Sequence, residues 1–475
     1  MKYISTRQSS ASAAEPLPFD AVLLAGLARD GGLYMPQQWP RFAAEDIRAL
    51  RGLSYAQVAT RVMAPFVAGA IADDDLAAMA ADTYAGFDHD AVAPLVQLDS
   101  NLWALELFHG PTLAFKDYAL QFLGRAFDLV LGRSGRRITI VGATSGDTGS
   151  AAIEACRDRD AIEIFILHPA GRVSEVQRRQ MTTVPSDNVH NIAVKGTFDD
   201  CQDLVKAMFN DQGFRDRHAL SAVNSINWAR IMAQIVYYFW AAVHLGAPDR
   251  QVTFAVPTGN FGNVLAGDCA RRMGLPVRGF VVGSNSNDIL TRFFQTGTMA
   301  AEGVSPTLSP SMDIQVSSNF ERLLWELYDR DGAEVERLMA RFRQGGSYAV
   351  EEARWRRVLE TFAGHRFDDD QTTAEIARLY RRTGHLIDPH SAVGIAAAAA
   401  ARAAGADPSD PVVALATAHP AKFPDAVEAA TGIRPALPPR LADLFERAER
   451  CRTLPNNLAA VQAYIADRLA AKEAA

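Results

Sequence analysis

Gln251-Val252-Thr253-Phe254-Ala255-Val256-Pro257-Thr258-Gly259-Asn260-Phe261-Gly262-Asn263 is the stretch on which the fold turns. Its first half, Gln251 to Val256, is a short apolar run rich in β-branched and aromatic residues, the pattern of a buried strand. A proline stops it, two glycines follow, and a helical pattern begins after Asn263. A strand that feeds a glycine turn and then a helix is half of a βαβ unit. Such a turn lets backbone N–H groups close on an anion, and the helix start adds positive partial charge. A glycine pair alone marks only a tight turn. The flanking asparagines and the strand-to-helix setting point to a phosphate cup formed by Gly259, Asn260, Phe261, Gly262 and Asn263. It is not the six-residue glycine fingerprint of dinucleotide folds, and no lysine-serine pair of the triphosphate-binding loops follows it.

The same alternation recurs on either side. Ile138 to Val141 reads as a strand, followed by the turn Thr144-Ser145-Gly146-Asp147-Thr148-Gly149 and a helix through Arg157. Ile162 to Leu167, Val189 to Val194, Val277 to Val282 and Val412 to Ala416 read as further strands, and Trp228 to Leu245 as a long apolar helix. This predicts an α/β protein with open, mostly parallel sheets flanked by helices, and ligands beyond the carboxyl ends of the strands. Residues 1–92 read as a separate, mainly helical cap, with helices at Ala43 to Leu50 and Ser54 to Met63. The tail from Leu441 to Ala475 reads as helical.

Two other motifs carry chemistry. In Phe108-His109-Gly110-Pro111-Thr112-Leu113-Ala114-Phe115-Lys116-Asp117 a rigid turn leads through apolar residues into a lysine. Most lysines snorkel to the surface. One held among apolar side chains loses solvation of its charged form, so the neutral amine becomes available to attack an aldehyde and to move protons. His109 is weaker, since a histidine in a tight turn usually serves the turn itself. The loop Thr144 to Ser150 is dense in hydroxyls and exposed amides before a helix, a nest suited to a carboxylate; a single N-cap would explain one hydroxyl but not all.

Length and composition bound the answer. With 475 residues, two or three structural units are expected. A content of 48% hydrophobic and 22% charged residues with net charge −7 describes a folded chain without a basic footprint for nucleic acid. Four scattered cysteines show neither a Cys-x-x-Cys pair nor zinc spacing, so free thiols, no metal and a cytoplasmic location are expected. No apolar stretch is long enough for a membrane span. Whether the chain is a monomer or a homodimer is left open.

Taken together, the Phe115-Lys116-Asp117 context, the Thr-Ser-Gly-Asp-Thr-Gly loop and the Gly-Asn-Phe-Gly-Asn cup resemble the threonine synthase family, in its enterobacterial and fungal branch. Other segments agree: Ser5-Thr6-Arg7, Asp30-Gly31-Gly32-Leu33-Tyr34, Asn224 to Arg230, Asn285-Ser286-Asn287-Asp288, Ser311-Met312-Asp313-Ile314, Ser318-Asn319-Phe320-Glu321-Arg322, Asp388-Pro389-His390-Ser391 and Ala416-Thr417-Ala418-His419-Pro420-Ala421-Lys422-Phe423. Gln8 stands where that family usually has glycine, and Asp147 where many wider relatives have asparagine; a carboxylate there only accepts hydrogen bonds.

The resemblance implies a pyridoxal phosphate (PLP) enzyme of fold type II, like the tryptophan synthase β-subunit. Residues 93–135 with 225–475 would form the large PLP-binding domain and residues 136–224 a smaller mobile substrate domain. It implies conversion of O-phospho-L-homoserine and water to L-threonine and phosphate, a carbon–oxygen lyase reaction in threonine biosynthesis. Lys116 would carry PLP as a Schiff base, with Gly259 to Asn263, Asp147 and Thr417 around the cofactor. Thr144, Ser145 and Thr148 would take the substrate carboxylate, and Asn227 and Arg230, with Lys422 and Arg322 as further candidates, the substrate phosphate. Two alternatives stay open: a PLP-dependent lyase giving 2-oxobutanoate, ammonia and phosphate, and a non-catalytic PLP-binding homologue.

Overall fold

The structure is a computed structural model that describes residues 1–8, 15–405, 407 and 409–473. The chain divides into two compact units: Met1–Ala119 with Ser225–Pro435, and Leu120–Asn224 with Ala436–Ala475.

The larger unit is built on a six-stranded sheet. Its strand order is Phe362–Arg366, Val277–Ser284, Val252–Pro257, Val412–Ala416, Leu102–Glu106 and Leu95–Asp99. All neighbours are parallel except the last pair, an antiparallel hairpin at the edge. The central strands Val252–Pro257 and Val412–Ala416 are buried along their whole length, which is why they are almost wholly apolar, Thr253 excepted, rather than alternating. On one side the alanine-rich helix Pro389–Ala403 packs through Ala392, Ile395, Ala397 and Ala398 against Ala255, Val281, Val412 and Ala414. In the helix Trp228–His244 every residue from Trp228 to Val243 is buried, consistent with its apolar residues on all sides.

The described residues among the first ninety belong to the same compact unit as Ser225–Pro435. Tyr3–Ser5 pairs antiparallel with Tyr34–Pro36. The helix Tyr55–Val67, started by a Ser54–Gln57 capping box, seats the Tyr55 ring 5.3 Å from Trp240 and Phe66 5.6 Å from Trp228. Such aromatic area is expensive to expose, so the segment is fastened to the Trp228–His244 helix.

The smaller unit has a five-stranded, wholly parallel sheet in the order Arg452–Pro455, Val189–Lys195, Ile162–Pro169, Ile138–Ala143, Leu220–Ser221. Here the reading of the tail needs correction. Residues from 441 on are not simply helical: Arg452–Pro455 is an edge strand paired with Val189–Lys195, and only Leu458–Glu473 is a helix. Val461 and Ile465 of that helix fill the same core as Phe165, Ile192 and Leu204. The tail therefore groups with residues 120–224 and not with 225–435. Ala474 and Ala475, also read as helical, lie outside the described residues.

No helix among the described residues is long and apolar enough to cross a membrane, and none of their His, Cys, Asp and Glu side chains cluster to hold a metal ion. All four cysteines are free thiols.

Candidate active site

In the larger unit, the glycine turn lies at the carboxyl end of Val252–Pro257 and opens the helix Gly262–Arg272. Phe261 sits in the left-handed region at φ 60°, which turns successive backbone N–H groups inward; its ring is the anchor that holds this conformation, fully buried and 5.0 Å from Phe320. A Cβ on Gly259 would lie 3.2 Å from the Ser311 carbonyl oxygen, so a side chain there would press that segment back by a few tenths of an ångström. The turn is braced from behind. Ser317 Oγ donates to the Gly259 carbonyl at 2.8 Å, and Asn319 Nδ2 donates to the carbonyls of both Asn260 and Ser225 at 3.1 Å. Asn263 turns its Oδ1 to the Tyr237 and Tyr238 hydroxyls at 2.7 and 2.9 Å, while its buried Nδ2 has no partner among the described residues. A rigid ring of backbone donors with an unused amide beside it suits a phosphate.

Lys116 opens the helix Lys116–Ser134 and is buried, with Nζ 3.4 Å from Ser311 Oγ and 5.6 Å from the Phe115 ring centre. Its approach is stitched to the loop after Val412–Ala416. Phe115 N–H donates to the Thr417 carbonyl at 2.9 Å, His419 N–H to the Leu113 carbonyl at 3.0 Å, and Ala114 bridges Ala418. The turn before it is held by Asp117, whose carboxylate accepts from the Thr112 N–H and hydroxyl at 2.8 and 2.6 Å. Lys116, Thr417 and the Gly259 turn thus belong to one assembly, linked through Ser311.

Arg230 is buried in the Trp228–His244 helix, and its Nε and Nη1 have no partner among the described residues. Burial pushes its guanidinium down to about 10. A buried cation without a counter-charge is the strongest sign of an anion site in the unit. The other phosphate candidates are occupied structurally. Asn227 accepts from the Ala229 N–H as the N-cap of that helix and donates to the Leu23 carbonyl, both at about 3 Å. Arg322 donates to the carbonyls of Tyr34 and Ile226 and to Asn319 Oδ1, and Lys422 Nζ to the Thr112 carbonyl at 2.7 Å. His109 pairs with Glu106 at 2.7 Å.

In the smaller unit the Thr144 to Gly149 loop closes Ile138–Ala143 and opens the helix Asp147–Cys156. Thr144 is its internal staple: its hydroxyl accepts from the N–H groups of Gly146 and Gly149 at 3.0 and 2.9 Å. Ser145 and Thr148 stay partly exposed, whereas Asp147 is buried and accepts from Gln177 Nε2 at 2.8 Å. Gln177 is a residue that no sequence signal identified. It sits so close to the loop that a Cβ on Gly146, at φ 147°, would be 2.5 Å from its amide nitrogen.

Fold and site define the fold type II class of PLP-dependent enzymes: the model of the family described as pyridoxal-phosphate dependent enzyme matches residues 88–341. Flanking it, models for the threonine synthase N terminus and C-terminal region match residues 2–84 and 391–465. The chain belongs to the threonine synthase family. It is 58% identical to the threonine synthase of Pseudomonas aeruginosa across 98% of both chains. Among solved structures, the PLP-bound threonine synthase from Brucella melitensis superposes with a TM-score of 0.95 at 54% identity, covering 98% of this chain and 99% of that one. The yeast threonine synthase gives a TM-score of 0.93 at 39% identity over 99% of each.

Proposed function

We propose that the protein converts O-phospho-L-homoserine and water into L-threonine and inorganic phosphate. The observation that carries this is the buried Lys116 amine, linked through Ser311 to the anion turn and through Phe115 to Thr417. PLP bound here supplies an aldehyde for that amine and a ring that accepts electrons from the substrate α-carbon.

The protein's own residues then have the following parts. Backbone N–H groups from Gly259 to Asn263 would hold the cofactor phosphate, and Thr417 would offer the ring nitrogen a neutral hydroxyl. Lys116, joined to the cofactor as its aldehyde partner, would remove and return protons at the substrate carbons. Ser145 and Thr148 with the amides of their loop take the substrate carboxylate, Thr144 keeping the loop in shape. Asp147, positioned by Gln177, would accept hydrogen bonds beside the cofactor's phenolic oxygen. Arg230 takes the substrate phosphate, its buried charge being unpaired until an anion arrives; Asn227 shapes the start of its helix. The four free thiols favour the cytoplasm as the compartment.

The test is product analysis with O-phospho-L-homoserine. Threonine and phosphate in equal amounts are expected, and 2-oxobutanoate with ammonia as the main product would replace this reading with that of a lyase. Lys116→Ala should keep the fold while losing covalent cofactor and turnover by a factor of at least about 10³.

A further inference from the structure

The segments Asn285 to Asp288 and Asp388 to Ser391 have no part in the chemistry above, yet the structure joins them to the Ser311 to Ile314 turn as one device. Asp388 caps the helix Pro389–Ala403 and is fully buried. One carboxylate oxygen accepts from the Ser391 N–H at 3.0 Å and from its hydroxyl; the other pairs with His390 Nδ1 at 2.7 Å. On its far side His390 Nε2 accepts the Ser311 backbone N–H at 3.2 Å. In this arrangement Nε2 serves as the acceptor and Nδ1 faces the Asp388 carboxylate. The Ser311 hydroxyl, at the other end of the same residue, lies 3.4 Å from Lys116 Nζ.

The turn carrying Ser311 is fastened from a second direction. Asn285 Nδ2 donates to Thr307 Oγ1 and Asp313 Oδ1, both at 2.8 Å, and Asn287 Nδ2 donates to Asp313 Oδ1 at 3.0 Å. Ser311 is thus held between a histidine–aspartate pair and an asparagine–aspartate clamp, with its carbonyl against Gly259. So many buried polar groups fixing one short turn mark it as a place where geometry matters.

We propose that Ser311 is a positioning residue for the Lys116 amine, receiving it whenever it is not covalently engaged, and that Asp388 and His390 position Ser311. This rests on the reading of Lys116 as the group that moves protons. Each time the amine is released it needs a fixed acceptor to stay aimed at the substrate carbons; a side chain with four rotatable bonds would otherwise lose that aim.

The test uses the full chain with S311A, H390L, H390Q and the double variant S311A/H390L. Loaded with cofactor, S311A and H390L are expected to lose about ten- to a hundredfold in kcat with KM within about threefold. The double variant should be no worse than S311A, because both changes remove one hydroxyl placement. H390Q, whose amide oxygen can take the place of Nε2, should recover most of the loss. In the cofactor-free chain, reductive methylation of Lys116 followed by mass mapping should run about threefold faster in S311A and H390L than in the parent, since the hydroxyl that holds the amine in place is gone, and at the parent rate in H390Q. Parent-like kcat in S311A, additive losses in the double variant, or no rise in labelling overturns the proposal. If the parent makes no threonine, the broader reading falls, while the labelling comparison still decides this one.

Discussion

Replacing Arg230 by methionine is expected to stabilise the protein and to weaken its hold on an anion. Burial lowers the guanidinium to about 10, and each tenfold loss of proton affinity corresponds to about 1.4 kcal/mol, so keeping the charge inside costs roughly 3 kcal/mol. Methionine fills much of the same space without a charge, at the loss of some packing along the arginine stem, so a net gain of about 1–2 kcal/mol is expected. A depressed arginine destabilises the folded state at every pH below its folded value. The penalty is therefore fully present from pH 6 to 8, and the gain in the variant should be flat across that window. Urea unfolding of the cofactor-loaded chain measures the first effect, as a raised midpoint. Initial rates with O-phospho-L-homoserine measure the second, as a KM increased by about tenfold or more. Inorganic phosphate should raise the melting temperature of the parent but not of the variant. A variant less stable than the parent, with unchanged KM, would refute the view of Arg230 as a charge kept for a ligand.

Two further outcomes follow from buried contacts. In Gly110→Ala the new methyl would lie 2.6 Å from Asp117 Oδ2, breaking the clasp on Thr112; cofactor absorbance should fall at least tenfold at limiting PLP, with a loss of about 1–3 kcal/mol in stability. Asp268 is buried, and although desolvation alone would raise its carboxyl, Arg272 and Arg271 hold it below the ordinary range. Its contribution is present above about pH 4 and is lost as acid protonates it, so Asp268→Asn should cost about 3 kcal/mol at pH 7 and less as the pH falls, read from urea midpoints at pH 7 and pH 3.5.

The parallel sheets were legible because their signals are local. Val252 to Pro257 is apolar but for Thr253, and Gly259 sits in a strand-to-helix turn where a side chain would crowd the Ser311 segment. Lys116 stood out for the same reason, a lysine entered through Leu113, Ala114 and Phe115. What stayed hidden depends on residues far apart in the chain. Ser311 meets Lys116 across 195 positions, and His390 meets Ser311 across 79; neither pairing leaves a periodicity to read. Structural duties were equally hidden: the Thr144 hydroxyl accepts from the Gly146 and Gly149 N–H groups, and Asn227 caps its helix and donates to the distant Leu23 carbonyl. Arg452–Pro455 has one strongly apolar residue in four, and only the vacant edge beside Val189–Lys195 makes it a strand.

That edge strand has a consequence for synthesis. Chain numbering places it more than two hundred residues after the sheet it completes, with most of the larger unit encoded in between. At a ribosome adding roughly 5–20 residues per second, Val189–Lys195 waits about ten to fifty seconds for its partner. Over that interval its backbone donors and acceptors face whatever else the nascent chain meets, so a chaperone that shields a growing sheet has its work set here.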